Sequence, residues 1–105
     1  MHNEILIPPT LSTVIVSLCA DYDRRRSVIE EQSAPFNVIM EYRFLNYRML
    51  NAALEVAGER DALAFITEIG KRRGHSSSKC YLSETLYKTR KKQVKENIAR
   101  KLSLL

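Results

Sequence analysis

Lysine is absent from the first 70 of the chain's 105 residues. Those residues carry six Arg against ten acids, a net of −4, whereas residues 71–105 carry eleven Lys or Arg against two acids, Glu84 and Glu96, a net of +9. Such segregation suits an anionic partner, either nucleic acid or an acidic membrane surface, and argues against an acidic DNA mimic. Glycine and proline are also scarce, with three of each. They fall where periodic runs start or stop, which favours helices throughout. Two cysteines, Cys19 and Cys80, are too few for a disulfide framework, and reduced thiols are expected. Long apolar runs are missing as well: the stretch from Val14 is interrupted at Ser17 and stops at Asp21, far short of the ~20 residues that span a bilayer. Residues 1–7 hold one acid and no Lys or Arg, unlike a secretory or transit segment, so a cytoplasmic location without membrane contact is expected.

What is present is 45% apolar, enough for one modest core and one domain over residues 1–105. The periodicity predicts an all-α fold, a small bundle of about four helices with a C-terminal variant helix-turn-helix. The first helix is expected over 10–31, with Thr10 as N-cap and Leu11, Ile15, Leu18, Tyr22, Arg25 and Ile29 at alternating steps of four and three. Arg24, Arg25 and Arg26 sit among acids and read as a solvated face with i,i+4 pairs. Pro35 restarts the pattern, and the second helix is expected over 36–57 as the central core helix. Its broad apolar stripe runs through Phe36, Ile39, Met40, Phe44, Tyr47, Leu50, Ala53, Leu54 and Ala57. Tyr42, Phe44 and Tyr47 are read there as core, not as a base-stacking platform. Gly58 is placed just past that helix's end. A third helix follows to about residue 71, with Ala62, Phe65, Ile66 and Ile69 on its apolar face.

The last helix is specified most fully. Ser83 is the N-cap candidate, Glu84 lies in the first turn, and Leu82 with Tyr87 has the spacing of a hydrophobic staple. Tyr87, Val94, Ile98, Leu102 and Leu105 fall on one side of a helical wheel, and Thr85, Lys88, Thr89 and Lys92 on another. A recognition helix reads base edges mainly with its first turns, so Glu84, Thr85, Lys88, Thr89 and Lys92 are the expected base contacts. Arg72, Arg73, Lys79, Arg90, Lys91 and Lys95 are the expected phosphate contacts, and double-stranded DNA is the expected partner.

The segment FITEIGKRRG, residues 65–74, together with LSETLYKTRKKQVKENIARKL, residues 82–102, resembles the helix-turn-helix of sigma-factor region 4 and of small phage-encoded sigma-like regulators of the ArpU and RinA type. The matching residues are Glu68, Ile69, Gly70 and Gly74, then Ser83, Glu84, Thr85, Leu86, Tyr87 and Lys88, within residues 60–102. The resemblance implies a phage-type transcription regulator with RNA polymerase as a further partner. One departure stands out: residues 74–82 are longer than the usual turn of three or four residues.

Enzymatic readings find little support. His2 and His75 sit in a terminus and a loop, His75 with Cys80 supplies half of a zinc site, and Cys80 has no base beside it. The glycines match no phosphate loop, and Glu55, Glu59, Asp61 and Glu68 read as solvation. No cofactor is expected. The competing class is a helical protein-interaction module or an inhibitor of a host protein, with a homodimer through the first helix. RNA is an alternative nucleic-acid partner, and a membrane surface suits the last helix poorly because its apolar side lacks Trp and Phe.

Overall fold

A proline that opens a helix loses nothing by lacking a donor, and the first helix starts on one. The computed structural model describes residues 7–71 and 83–104, and α1 spans Pro9–Ala20 with Pro8 leading in at φ −56° and ψ 148°. Thr10 therefore lies inside the first turn and is not the N-cap, because Pro9 already has the φ a first helical residue requires. The expected helix over 10–31 is two helices. Asp21 (φ −92°, ψ −1°) separates α1 from α2, Tyr22–Glu31. α2 ends where Gln32 turns left-handed at φ 50°, with the Gln32 amide donating to the Ile29 carbonyl and the Ser33 amide to Val28. That is a Schellman closure made without glycine.

α3 spans Phe36–Gly70 as one element bent at Gly58, where φ 79° and ψ 170° interrupt the helical backbone. Glycine alone tolerates that region readily. No atom lies within 4 Å of where a Cβ would stand there, so the requirement comes from the backbone and not from space. The last helix, α4, spans Glu84–Lys101. The described residues contain no strand, and the fold is all-α. α3 is the spine: α1, α2 and α4 all pack on it, and α1 also touches α4.

The core between them joins Ile15 and Cys19 of α1, Met49, Ala52, Ala53, Phe65, Ile66 and Ile69 of α3, and Tyr87, Val94 and Ile98 of α4. Burial pushes the Cys19 thiol up to about 12, outweighing the opposite pull of Arg25 and Lys95. Arg25, expected on the surface, is only 2% exposed. Its Nε donates to Asn46 Oδ1 at 2.7 Å and its Nη2 to the Leu18 carbonyl at 2.8 Å. Asn46 Nδ2 in turn donates to the Tyr22 carbonyl at 3.2 Å. The two side chains thus hold backbone carbonyls on both sides of the break at Asp21, which is how a buried cation and a helix break coexist. Arg24 and Arg26 remain outside, paired with Asp21 and Asp23 at 2.6 and 3.3 Å.

The expected core stripe of residues 36–57 is corrected in its larger members. Phe36, Met40, Phe44 and Tyr47 are 77, 45, 60 and 68% exposed. Ile39 and Ala53 of that stripe are buried as expected, and the inward face of α3 adds Asn46, Met49 and Ala52. Small side chains there let the neighbouring helices approach closely, and Asn46 supplies the partner that Arg25 needs.

Candidate nucleic-acid interface

A helix exposes orphan amides at its start, and α4 begins with a side chain that takes one. Ser83 is extended (φ −61°, ψ 157°) and its Oγ accepts from the Leu86 amide at 3.2 Å. Glu84 follows in the positive end of the dipole. Tyr87, 2% exposed, stacks on Phe65 with ring centroids 5.5 Å apart, which fixes the rotation of α4 against α3.

That rotation decides where the lysines go. Lys88, Lys91, Lys92 and Lys95, spaced i, i+3, i+4 and i+7, line one depression of about 300 Å³ together with Ile7 and Ser12 beside the start of α1. Lys95 Nζ donates to Ser12 Oγ at 2.6 Å, tying the lysine face to α1. Lys91 is half-buried with its ammonium 5.9 Å from the Tyr87 ring centroid. Burial, then the nearby Lys95 charge, hold its pKa below the ordinary ammonium range, with Glu68 acting in the opposite direction. Lys88 is exposed and pairs with Glu84 at 3.0 Å. A site that crowds ammonium groups and partly dehydrates one of them gains when an anion enters.

Of the expected base contacts, Glu84, Thr85, Lys88 and Thr89 are exposed and Lys92 is half-buried. Thr89 Oγ1 donates back to the Thr85 carbonyl at 2.9 Å. Lys88 and Lys92 share their depression with Lys91 and Lys95, so the division of these four between bases and phosphates does not correspond to two separate surfaces. Arg90 stands apart from them: its Nη1 donates to the Val56 carbonyl at 2.6 Å, just before the bend at Gly58. There it satisfies a helix-end carbonyl instead of facing solvent. Arg72, Arg73 and Lys79 lie outside the described residues, as do His2, His75, Cys80, Leu82 and the whole 74–82 turn. Ser12 and Ile7 were not foreseen, since only packing brings the start of α1 to α4. The lysine spacing is legible in the sequence.

Comparison with protein-family models, with curated proteins and with solved structures returns no match. The likeness to sigma-factor region 4 therefore rests on its motif residues alone. In the structure Glu68 and Ile69 are buried, and Gly70 packs against α1. Among the described residues no group of three or more His, Cys, Asp or Glu is placed to hold a metal, and no helix is long and apolar enough to cross a membrane.

Proposed function

We propose that this protein is a non-enzymatic, sequence-specific regulator of transcription that binds double-stranded DNA with α4. The observation that carries this reading is the convergence of Lys88, Lys91, Lys92 and Lys95 on one depression at the α1–α4 junction. Phosphate oxygens set among these ammonium groups relieve the crowding of Lys91 and Lys95 and satisfy donors that burial has partly stripped of water. Thr85 and Thr89, exposed beside this face, are the side chains for base edges, where a hydroxyl can donate or accept and the threonine methyl can meet thymine. RNA polymerase, implied by the sigma-like motif, is the second partner in this reading.

Fluorescence anisotropy against labelled duplex DNA, single-stranded DNA and RNA, each at several salt concentrations, tests it. Duplex affinity is expected to fall log-linearly with salt, and Lys91→Ala with Lys95→Ala to flatten the slope by roughly 2 on cognate and random duplexes alike. Thr85→Ala and Thr89→Ala are expected to narrow the gap between cognate and random sequence instead. Binding to no duplex even near ~10⁻⁴ M at moderate salt would overturn the proposal, since non-specific DNA binding already reaches that range.

A further inference from the structure

The four large apolar side chains that α3 leaves outside are not scattered. Phe36, Met40, Phe44 and Tyr47 fall within an arc of ~80° on the helix and run along ~16 Å of it. Fully covered, they would remove roughly 500 Å² of apolar surface per copy, given the 150–250 Å² that a large aromatic buries. A patch of about this size is the largest that a typical monomer exposes, and such patches are often functional. We propose that this face is the contact between two copies of the chain, packed as antiparallel α3 helices about a two-fold axis near Phe44.

Charge identifies the occupant. Residues 36–57 carry Glu41, Arg43, Arg48 and Glu55, a net of zero, so the face offers a polyanion no attraction, unlike the lysine depression on α4. Glu41 and Arg48 lie on the same edge of the apolar arc, ~20° apart on the wheel. In an antiparallel two-fold pair, like edges meet in reverse order. Glu41 of one copy then faces Arg48 of the other, and the same pair forms again across the axis. Arg48 is held at the rim of this patch, its guanidinium 4.8 Å over the Phe44 ring and its Nη1 donating to the Lys101 carbonyl at 3.1 Å. Self-association through the first helix, by contrast, would need Ile15, Tyr22 and Arg25, which are buried within one copy. The patch is smaller than the ~800 Å² per partner of a standard interface, so the flanking polar residues complete it and a micromolar dimer is expected.

Sedimentation equilibrium of the full chain from about 1 to 300 μM, with circular dichroism as the folding control, is the test, because a dimer of this strength dissociates within that range. Wild type is expected to pass from monomer to dimer, and Phe44→Glu to weaken the dimer at least about tenfold while its melting curve stays cooperative. Glu41→Arg and Arg48→Glu should each weaken it and their combination restore it, a pattern that general loss of folding does not produce. In a Cys19→Ala/Cys80→Ser background, Phe44→Cys should cross-link across the axis and Phe36→Cys should not. A wild type that stays monomeric throughout, or a dimer indifferent to Phe44→Glu and to the charge exchange, overturns the proposal. So does loss of single-stranded nucleic-acid binding by Phe44→Glu with the dimer intact, which would make the face a stacking platform. The association and cross-linking outcomes do not depend on the lysines of α4, so a failed dimer leaves the DNA reading standing and the reverse.

Discussion

Gly70 lies so close to Ala20 that a Cβ on it would stand 2.6 Å from the Ala20 nitrogen and 2.7 Å from the Ala20 Cα. The obstruction is backbone, which cannot swing aside as a side-chain tip can. In an ordinary helical position Gly→Ala gains up to ~1 kcal/mol. Here the sign reverses: Gly70→Ala should lose ~1–3 kcal/mol through overpacking where α3 meets α1. Urea denaturation reads the difference, and a gain in stability would show that the two helices separate easily.

Ser83 sets the start of the lysine-bearing helix, and its cap can be tested by rank order. Ser83→Ala should cost ~0.5–2 kcal/mol and Ser83→Gly only a few tenths, because glycine keeps the cap conformation and lets water reach the amide. A residue inside the helix would give the opposite order, Gly being worse than Ala by ~1 kcal/mol. Thermal melts of the two variants decide between these orders.

Arg25 and Asn46 form the buried polar link between α2 and α3. Arg25→Ala should cost ~3–5 kcal/mol, since it leaves Asn46 Oδ1 and the Leu18 carbonyl buried without their donor. Arg25→Met with Asn46→Leu should recover part of that loss by replacing the pair with apolar volume. If the double variant proves worse than the sum of its singles, the polar link is not the source of the cost.

Acid should loosen two specific ties. Asp21 is held below the usual carboxylate range first by its hydrogen bonds from Arg24, and Glu55 by Lys101 and then Asn97. A carboxyl whose folded pKa is depressed adds stability above its unfolded pKa and loses it as pH falls through the folded value. Both contributions are therefore complete at neutral pH and fade below about pH 4. Both sites are open to solvent, which keeps the effect small and sensitive to salt. Asp21→Asn and Glu55→Gln should lower the neutral plateau of the melting-temperature profile slightly and leave its acid end close to wild type, so that the limb between them becomes shallower. An acid limb identical to wild type would place the titration elsewhere.

The sequence by itself was sufficient for whatever depends on neighbours along the chain. Ser83 caps α4 because its own hydroxyl reaches the Leu86 amide, and Gly58 breaks α3 because its own φ is 79°. Phe65, Ile66 and Ile69 are buried where their helical spacing put them on one face. The break at Asp21 was not legible, because the donors that hold it open, Arg25 and Asn46, come from different helices and act on carbonyls of Leu18 and Tyr22. The outward turn of Phe36, Met40, Phe44 and Tyr47 was equally hidden. Residues 36–57 carry apolar side chains on more than one face, and hydrophobic period alone favours the larger set. Tertiary packing kept Ile39 and Ala53 of that set, added Met49 and Ala52, and left the larger members outside, since Ala52 and Ala53 on α3, like Gly70 farther along, let backbones approach at distances that large side chains forbid. The lysines of α4 were visible as a charge pattern, but their meeting with Ser12, 83 positions away along the chain, required α1 to be laid beside α4 by that packing.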